Sequence, residues 1–188
     1  MEKQDDIYYI EKVLQGDVNY FSYIVEKYQN IVFSIALKIL KNREDAEELA
    51  QECFIKIYNS LHTFKGKSKF STWLYRITFN ASVSEARKKR NRFASISEVQ
   101  VKDEAEEVDF DGVPEEKREK YIKTALERLS EDEYTLILLY YYEDQSVKEI
   151  SKITGLTDSN IKIKLHRARK RLYTILNEIL KDELYTIL

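Results

Sequence analysis

Cysteine, proline and glycine are scarce in this chain, and each scarcity removes a class of structure. With a single cysteine, Cys53, no internal disulfide is available, and two histidines far apart leave no Cys/His cluster of zinc-ligand spacing. Cys53 falls inside an amphipathic helical pattern, where a thiol acts as a small apolar side chain. One proline and four glycines in 188 residues give few places where a helix must stop: Gly16, Gly66, Gly112 with Pro114, and Gly155. Apolar runs fall short of the roughly 20 residues that a membrane-spanning helix needs. The opening MEKQDDIYYI is acidic and lacks the basic start and continuous apolar stretch of a secretory signal. The chain is therefore expected in the cytoplasm, with no membrane contact of its own. Neither sign of charge dominates: 31 Lys and Arg face 33 Asp and Glu, so the total announces no nucleic-acid partner.

What is present is helical periodicity. Apolar spacing predicts helices near Asp5 to Leu14, Val18 to Lys41 with a bend near Asn30, and Arg43 to Ser60. After a loop from His62 to Phe70, Ser71 or Thr72 caps a helix that turns Leu74, Ile77 and Ala81 inward and runs to about Asn91. Phe93 to Gly112 has no apolar stripe, and Ser97 to Glu116 is almost wholly acidic, with Lys102 its one cation. Pro114 then opens a helix carrying Tyr121, Ala125, Leu126 and Leu129, and Ser130 with Glu133 forms a capping box before Leu136, Ile137, Leu139 and Tyr140. The expected architecture is all-α: a helical domain over 1–92, an acidic flexible linker over 93–113, and a second helical domain over 114–188. The 14 tyrosines, among them Tyr8, Tyr20 and Tyr28, fall at positions compatible with core packing and hydroxyls at the surface.

Ser146 to Leu172 reads as a helix-turn-helix. Ser146 with Glu149 caps its first helix, Gly155 ends it, and Thr157 caps the second. In that second helix Ile161, Leu165, Ala168 and Leu172 form one buried stripe. The opposite side carries Ser159, Lys162, Ile163, His166, Arg167 and Lys170, a set suited to base edges and phosphates in the major groove.

Two further segments carry opposite chemistry. His62 to Arg76 interleaves Phe64, Phe70, Trp73 and Tyr75 with Lys65, Lys67, Lys69 and Arg76. Unpaired bases stack on aromatic faces while cations follow the backbone, so the pattern suits single-stranded DNA; core aromatics with solvated lysines fit it equally. The basic run EARKKRNR from Glu85, with Arg87 and Lys88, follows on the same helix. Arg43 to Tyr58 instead buries Leu49, Ala50, Cys53 and Ile57 and leaves Glu47, Glu48, Gln51 and Glu52 outside, a face that repels DNA and suits either solvent or a basic protein.

From about Tyr20 to Leu176 these residues resemble the extracytoplasmic-function sigma factors, small bacterial transcription initiation subunits. Asp45-Ala46-Glu47-Glu48-Leu49-Ala50-Gln51-Glu52 followed by Phe54 is similar to the family's core-polymerase-binding helix in domain two. Phe64-Lys65-Gly66 with Phe70, then Ser71-Thr72-Trp73-Leu74-Tyr75-Arg76-Ile77 and Asn80, resembles its promoter-melting segment. Leu165-His166-Arg167-Ala168-Arg169-Lys170 with Leu172 resembles the recognition helix of domain four. The resemblance implies core polymerase docking through Asp45, Glu48, Gln51 and Glu52, minus-ten contacts along Phe64 to Lys88 with Phe64, Ile77 and Asn80 capturing a base, and minus-thirty-five contacts by the outer face of the last helix. It further implies an anti-sigma partner, no cofactor and no catalysis. Ile163 and Lys164 depart from the family's usual residues, leaving thymine reading and phosphate-sugar cover both open for Ile163.

A stand-alone helix-turn-helix regulator is the alternative; it leaves the acidic helix and the aromatic-cationic loop without a purpose. An enzyme would need a catalytic cluster, and no paired acidic metal motif occurs.

Overall fold

The computed structural model describes residues 5–90 and 113–186, with side chains over 5–88 and 113–181. The expected acidic linker and the end of the basic run lie outside these residues. Eight α-helices occur among those described: α1 (Asp6–Leu14), α2 (Phe21–Leu40), α3 (Arg43–Ser60), α4 (Phe70–Arg90), α5 (Glu115–Arg128), α6 (Glu131–Ile137), α7 (Val147–Thr154) and α8 (Asp158–Thr186). They fall into two compact units, Met1–Ser95 with Lys148–Leu156, and Ile96–Val147 with Thr157–Leu188.

In the first unit α2 is the central helix, packed on α1, α3 and α4. It starts after a 3-10 turn at Val18–Tyr20 and runs unbroken through Asn30, where a bend was expected. Lys41 ends it in the left-handed region (φ 57°), its N–H donating to the Leu37 carbonyl. The Asn42 side chain then accepts from the Asp45 N–H at 3.0 Å and starts α3. Ile24, Val32, Ile35 and Ile39 of α2 join Leu49, Cys53 and Ile57 of α3 in the core.

Helix α4 corrects the sequence reading twice. It begins at Phe70, so Ser71 and Thr72 lie in its first turn rather than capping it, and Thr72 is buried. Its inner face is Leu74, Tyr75, Thr78 and Ser82, whereas Ile77 and Ala81 are half-buried. The rotation costs little because both hydroxyls are satisfied within the helix: Thr78 Oγ1 donates to the Leu74 carbonyl (3.2 Å) and Ser82 Oγ to that of Thr78 (2.9 Å).

The tyrosines divide. Tyr28 is buried, its hydroxyl donating to Asp6 Oδ2 at 2.7 Å. Tyr8 and Tyr20 instead stay half-exposed and join Tyr9 and Tyr23 in a surface cluster, Tyr9 stacked on Tyr23 at 5.0 Å. There the hydrogen bond with Tyr8 raises the Tyr20 phenol above its ordinary pKa.

Cys53 is a core residue. Burial pushes its thiol up to about 11, so almost no thiolate exists near neutral pH. The raised native pKa means that this group contributes stability below the unfolded pKa near 9 and loses it as pH climbs towards 11. Native protein at pH 8 is expected to react with iodoacetamide far more slowly than urea-unfolded protein. Equal rates by mass spectrometry would place the thiol at the surface.

In the second unit α5 and α6 pack on α8. The Ser130 capping box is present: its side chain accepts from the Glu133 N–H while the Glu133 carboxylate accepts from the Ser130 N–H at 2.9 Å. Beyond Ile137 the chain widens into a π-turn, Leu138–Tyr142, closed by the Glu143 N–H donating to the Leu138 carbonyl. Leu139 stays buried, but Tyr140, expected on the apolar face, is exposed with Tyr141 and Tyr142.

Candidate polymerase and nucleic-acid interfaces

Each candidate surface is one face of a helix whose other face is core. On α3, Ala46, Leu49, Cys53 and Ile57 are buried, while Glu48, Gln51 and Glu52 are exposed and Asp45 is half-buried. Ala50, expected inside, is half-buried. Arg43 Nε sits 2.8 Å from Glu47 Oε1, which draws Glu47 into a local pair and leaves Glu48 and Glu52 as the outward charge. Sequence reading missed Ile55. It follows Gln51 by four residues and Glu52 by three, shares their face, and is 62% exposed; an apolar side chain at the C-terminal edge of an acidic face was detectable from helical spacing alone.

The loop before α4 turns at Gly66, whose φ of +67° suits glycine. Phe64 is half-buried, its ring edge-on to Phe70 (5.4 Å) and 5.6 Å from Trp73. Lys65 and Lys67 are exposed, and Lys69 Nζ lies 3.2 Å from Glu149 Oε1 within the same unit. Along α4, Trp73, Ile77 and Asn80 follow at i, i+4 and i+7, a single stripe continued by Ser84 and Arg87. Arg76, Asn80, Ser84, Arg87 and Lys88 are exposed, with Lys88 2.9 Å from Glu85. Ser84 was missed, although the same spacing marks it.

Gly155, with φ +77°, ends α7, its N–H donating to the Ser151 carbonyl at 2.9 Å. Thr157 Oγ1 accepts from the Asn160 N–H at 3.3 Å at the start of α8, the expected cap. Ile161, Leu165 and Ala168 are buried, Leu172 only half so. The cations of α8 are sorted by the fold. Lys164 pairs with Asp132 (2.7 Å), Arg169 donates to the Tyr141 hydroxyl (3.3 Å), and Arg171 lies 3.9 Å from Glu133. Lys162, Ile163, His166, Arg167 and Lys170 line one open concavity of about 470 Å³. Ser159 is exposed one turn before Ile163 on that side.

Among the described residues no group of His, Cys, Asp and Glu is arranged to hold a metal, and no helix is long and apolar enough to cross a membrane. An acidic face on α3, an aromatic-cationic segment leading into α4 and a cationic face on α8, in that order and carried on helices among the described residues, suit a class of protein that joins a protein partner to DNA. Comparison with known proteins narrows the class. The family profile for Sigma-70 region 2 matches residues 24–92 and that for Sigma-70 region 4 matches 119–172. The chain is 30% identical over 179 residues to the ECF RNA polymerase sigma factor SigW of Bacillus subtilis, covering 90% of this chain and 96% of that one. It is 30% identical over 183 residues to the ECF RNA polymerase sigma-E factor of Escherichia coli K12, covering 90% and 93%. Its fold is similar to that of the sigma factor RpoE of Bartonella quintana, solved in complex with the anti-sigma factor NepR, with TM-score 0.62 and 24% identity over 84% of this chain and 96% of that one. The chain belongs to the extracytoplasmic-function group of the sigma-70 family. A stand-alone regulator would account for α7 and α8 but not for the match to region 2.

Proposed function

We propose that this sigma factor docks on core RNA polymerase through the outer face of α3, engages the minus-ten element along α4, and reads the minus-thirty-five element with α8. The polymerase contact rests on Asp45, Glu48, Gln51 and Glu52, with Ile55 as an apolar contact at its C-terminal edge. Phe64, Lys65, Lys67, Lys69, Trp73, Arg76, Ile77, Asn80, Arg87 and Lys88 serve the minus-ten element; Ser159, Lys162, Ile163, His166, Arg167 and Lys170 serve the minus-thirty-five element. Domain two spans 1–92, an acidic linker 93–113 and domain four 114–188; α7 clusters with the first unit by contacts, and its assignment to domain four is supported by the region 4 match over 119–172. The protein acts in the cytoplasm, has no catalytic activity of its own, and is held by an anti-sigma factor, as RpoE is held by NepR.

One observation carries the reading: the outward carboxylates of α3 and the open cationic concavity of α8 stand on separate helices within matches to regions 2 and 4. Opposite charge on separate faces suits a basic protein surface on one and a polyanion on the other. Multi-round transcription with purified core polymerase is expected to initiate on promoter fragments only when this chain is added. Glu48→Lys with Glu52→Lys is expected to change stability by no more than about 0.5 kcal/mol while weakening core binding at least tenfold, as like charges face each other (about 1.4 kcal/mol). A double variant that melts normally and binds core polymerase with unchanged affinity would remove α3 from the docking surface.

A further inference from the structure

The concavity on α8 holds an apolar side chain that its own domain does not use. Ile163 lies two residues from each of the buried Ile161 and Leu165 and five from Ala168. At about 100° per residue it points roughly 140–200° from that seam, straight away from the core. It is 50% exposed. A single exposed isoleucine is ordinary on a protein surface; this one is ringed by Lys162, His166, Arg167 and Lys170, all nitrogen-bearing side chains that line the same concavity. Lys164, Arg169 and Arg171 are turned to Asp132, Tyr141 and Glu133. The outward face of α8 is thus a cluster of donors around one hydrocarbon apex.

A major groove offers such a surface few matches. Its floor presents carbonyl oxygens, ring nitrogens and amino groups, and its one exposed hydrocarbon is the thymine C5-methyl. We infer that Ile163 is a specificity-determining residue that packs on a thymine methyl in the minus-thirty-five element. The inference rests on the reading of α8 as the helix that enters the groove. Arg167 stands one turn further along, about 6 Å up the helix axis, which puts a guanine contacted by its guanidinium within about two base steps of that thymine. Lys162 and Lys170 flank the pair and hold phosphates, a role that carries no sequence information.

The test uses the full chain bound to core RNA polymerase and a duplex pool randomised over the minus-thirty-five segment. Selection is expected to enrich a site with a thymine close to a guanine. That site is then made with deoxyuridine in place of each thymine in turn, which removes the methyl and nothing else from the base edge. At one position the exchange should weaken wild-type binding about four- to tenfold, the effect of one buried methyl contact. With Ile163→Ala, whose exposed position leaves folding intact, the same exchange should cost less than about twofold, since the two losses share one contact. An equal loss in both proteins, or no loss at any thymine, would overturn the assignment and leave Ile163 over the sugar-phosphate backbone. A pool in which no sequence is enriched would instead overturn base reading by α8 as a whole, and the Ile163 contact with it.

Discussion

Tyr75→Ala is expected to lower the unfolding free energy of the first unit by about 3–5 kcal/mol, the usual loss for a large aromatic cut from a core. Tyr75 is 0% exposed and packs edge-on to Tyr28 with ring centroids 6.0 Å apart. Tyr28 in turn is fixed by its hydrogen bond to Asp6 at 2.7 Å, so the ring that faces the cavity is held in place rather than free to fill it. Tyr75→Phe keeps the ring and should cost only about 1 kcal/mol, the net contribution of a hydroxyl group's hydrogen bond. The readout is built in: Trp73, the single tryptophan, lies two residues away on the same helix, so its fluorescence during urea unfolding reports this unit. A comparison residue is Tyr58, 39% exposed on α3. Should Tyr75→Ala shift the urea midpoint no more than Tyr58→Ala does, Tyr75 would not be the centre of this core.

Elements with local rules were legible in the sequence. The Ser130 capping box, the Thr157 cap and the glycine end of α7 each depend on a few adjacent residues, and all three are present. Leu49, Cys53 and Ile57 of α3 and the seam Ile161, Leu165 and Ala168 followed from apolar spacing, whereas Ala46 takes the inward place expected for Ala50. What escaped depends on tertiary choice. Threonine and serine read as polar, yet Thr78 and Ser82 occupy the core because a helix lets a hydroxyl bond to its own preceding turn. Once that is allowed, α4 rotates and Ile77 moves outward beside Asn80. The π-turn at Leu138–Tyr142 likewise widens the last turn of its helix and changes which of Leu138 to Tyr142 face inward, which apolar periodicity does not register.

The candidate surfaces were partly legible for the same reason. Charge sign and helical spacing pick out Glu48 and Glu52 or His166 and Arg167, but not which cations the fold has already engaged. Lys164, Arg169 and Arg171 look equivalent to Lys162 and Arg167 in sequence; their partners Asp132, Tyr141 and Glu133 lie 28 to 38 residues upstream, a separation that no local rule bridges.

The largest functional effect is expected at the promoter-melting face of α4, where Asn80→Ala should leave closed complexes intact and deplete open ones. Asn80 is exposed and sits one turn beyond the half-buried Ile77, in line with Trp73, whose ring meets Phe64 at 5.6 Å. In the proposed minus-ten contact these four form a ledge with an aromatic end and an amide end. A base turned out of the duplex loses stacking and pairing worth a few kcal/mol, and the proposed ledge would offset that loss by packing on Trp73 and Phe64 and by hydrogen bonds to the Asn80 amide. Removing the amide costs the captured base edge about 1–3 kcal/mol, or roughly 5- to 100-fold fewer heparin-resistant complexes. Phe64→Ala should act in the same direction, with some loss of stability because its ring also packs on Phe70; thermal melting alongside the assay separates the two effects. A promoter carrying a pre-melted bubble should recover only part of the deficit, since it supplies opening but not capture. Permanganate reactivity of unpaired thymines measures the open state directly. Wild-type reactivity in a folded Asn80→Ala holoenzyme would take the ledge out of the mechanism and leave α4 as a duplex-binding face through Arg76, Arg87 and Lys88.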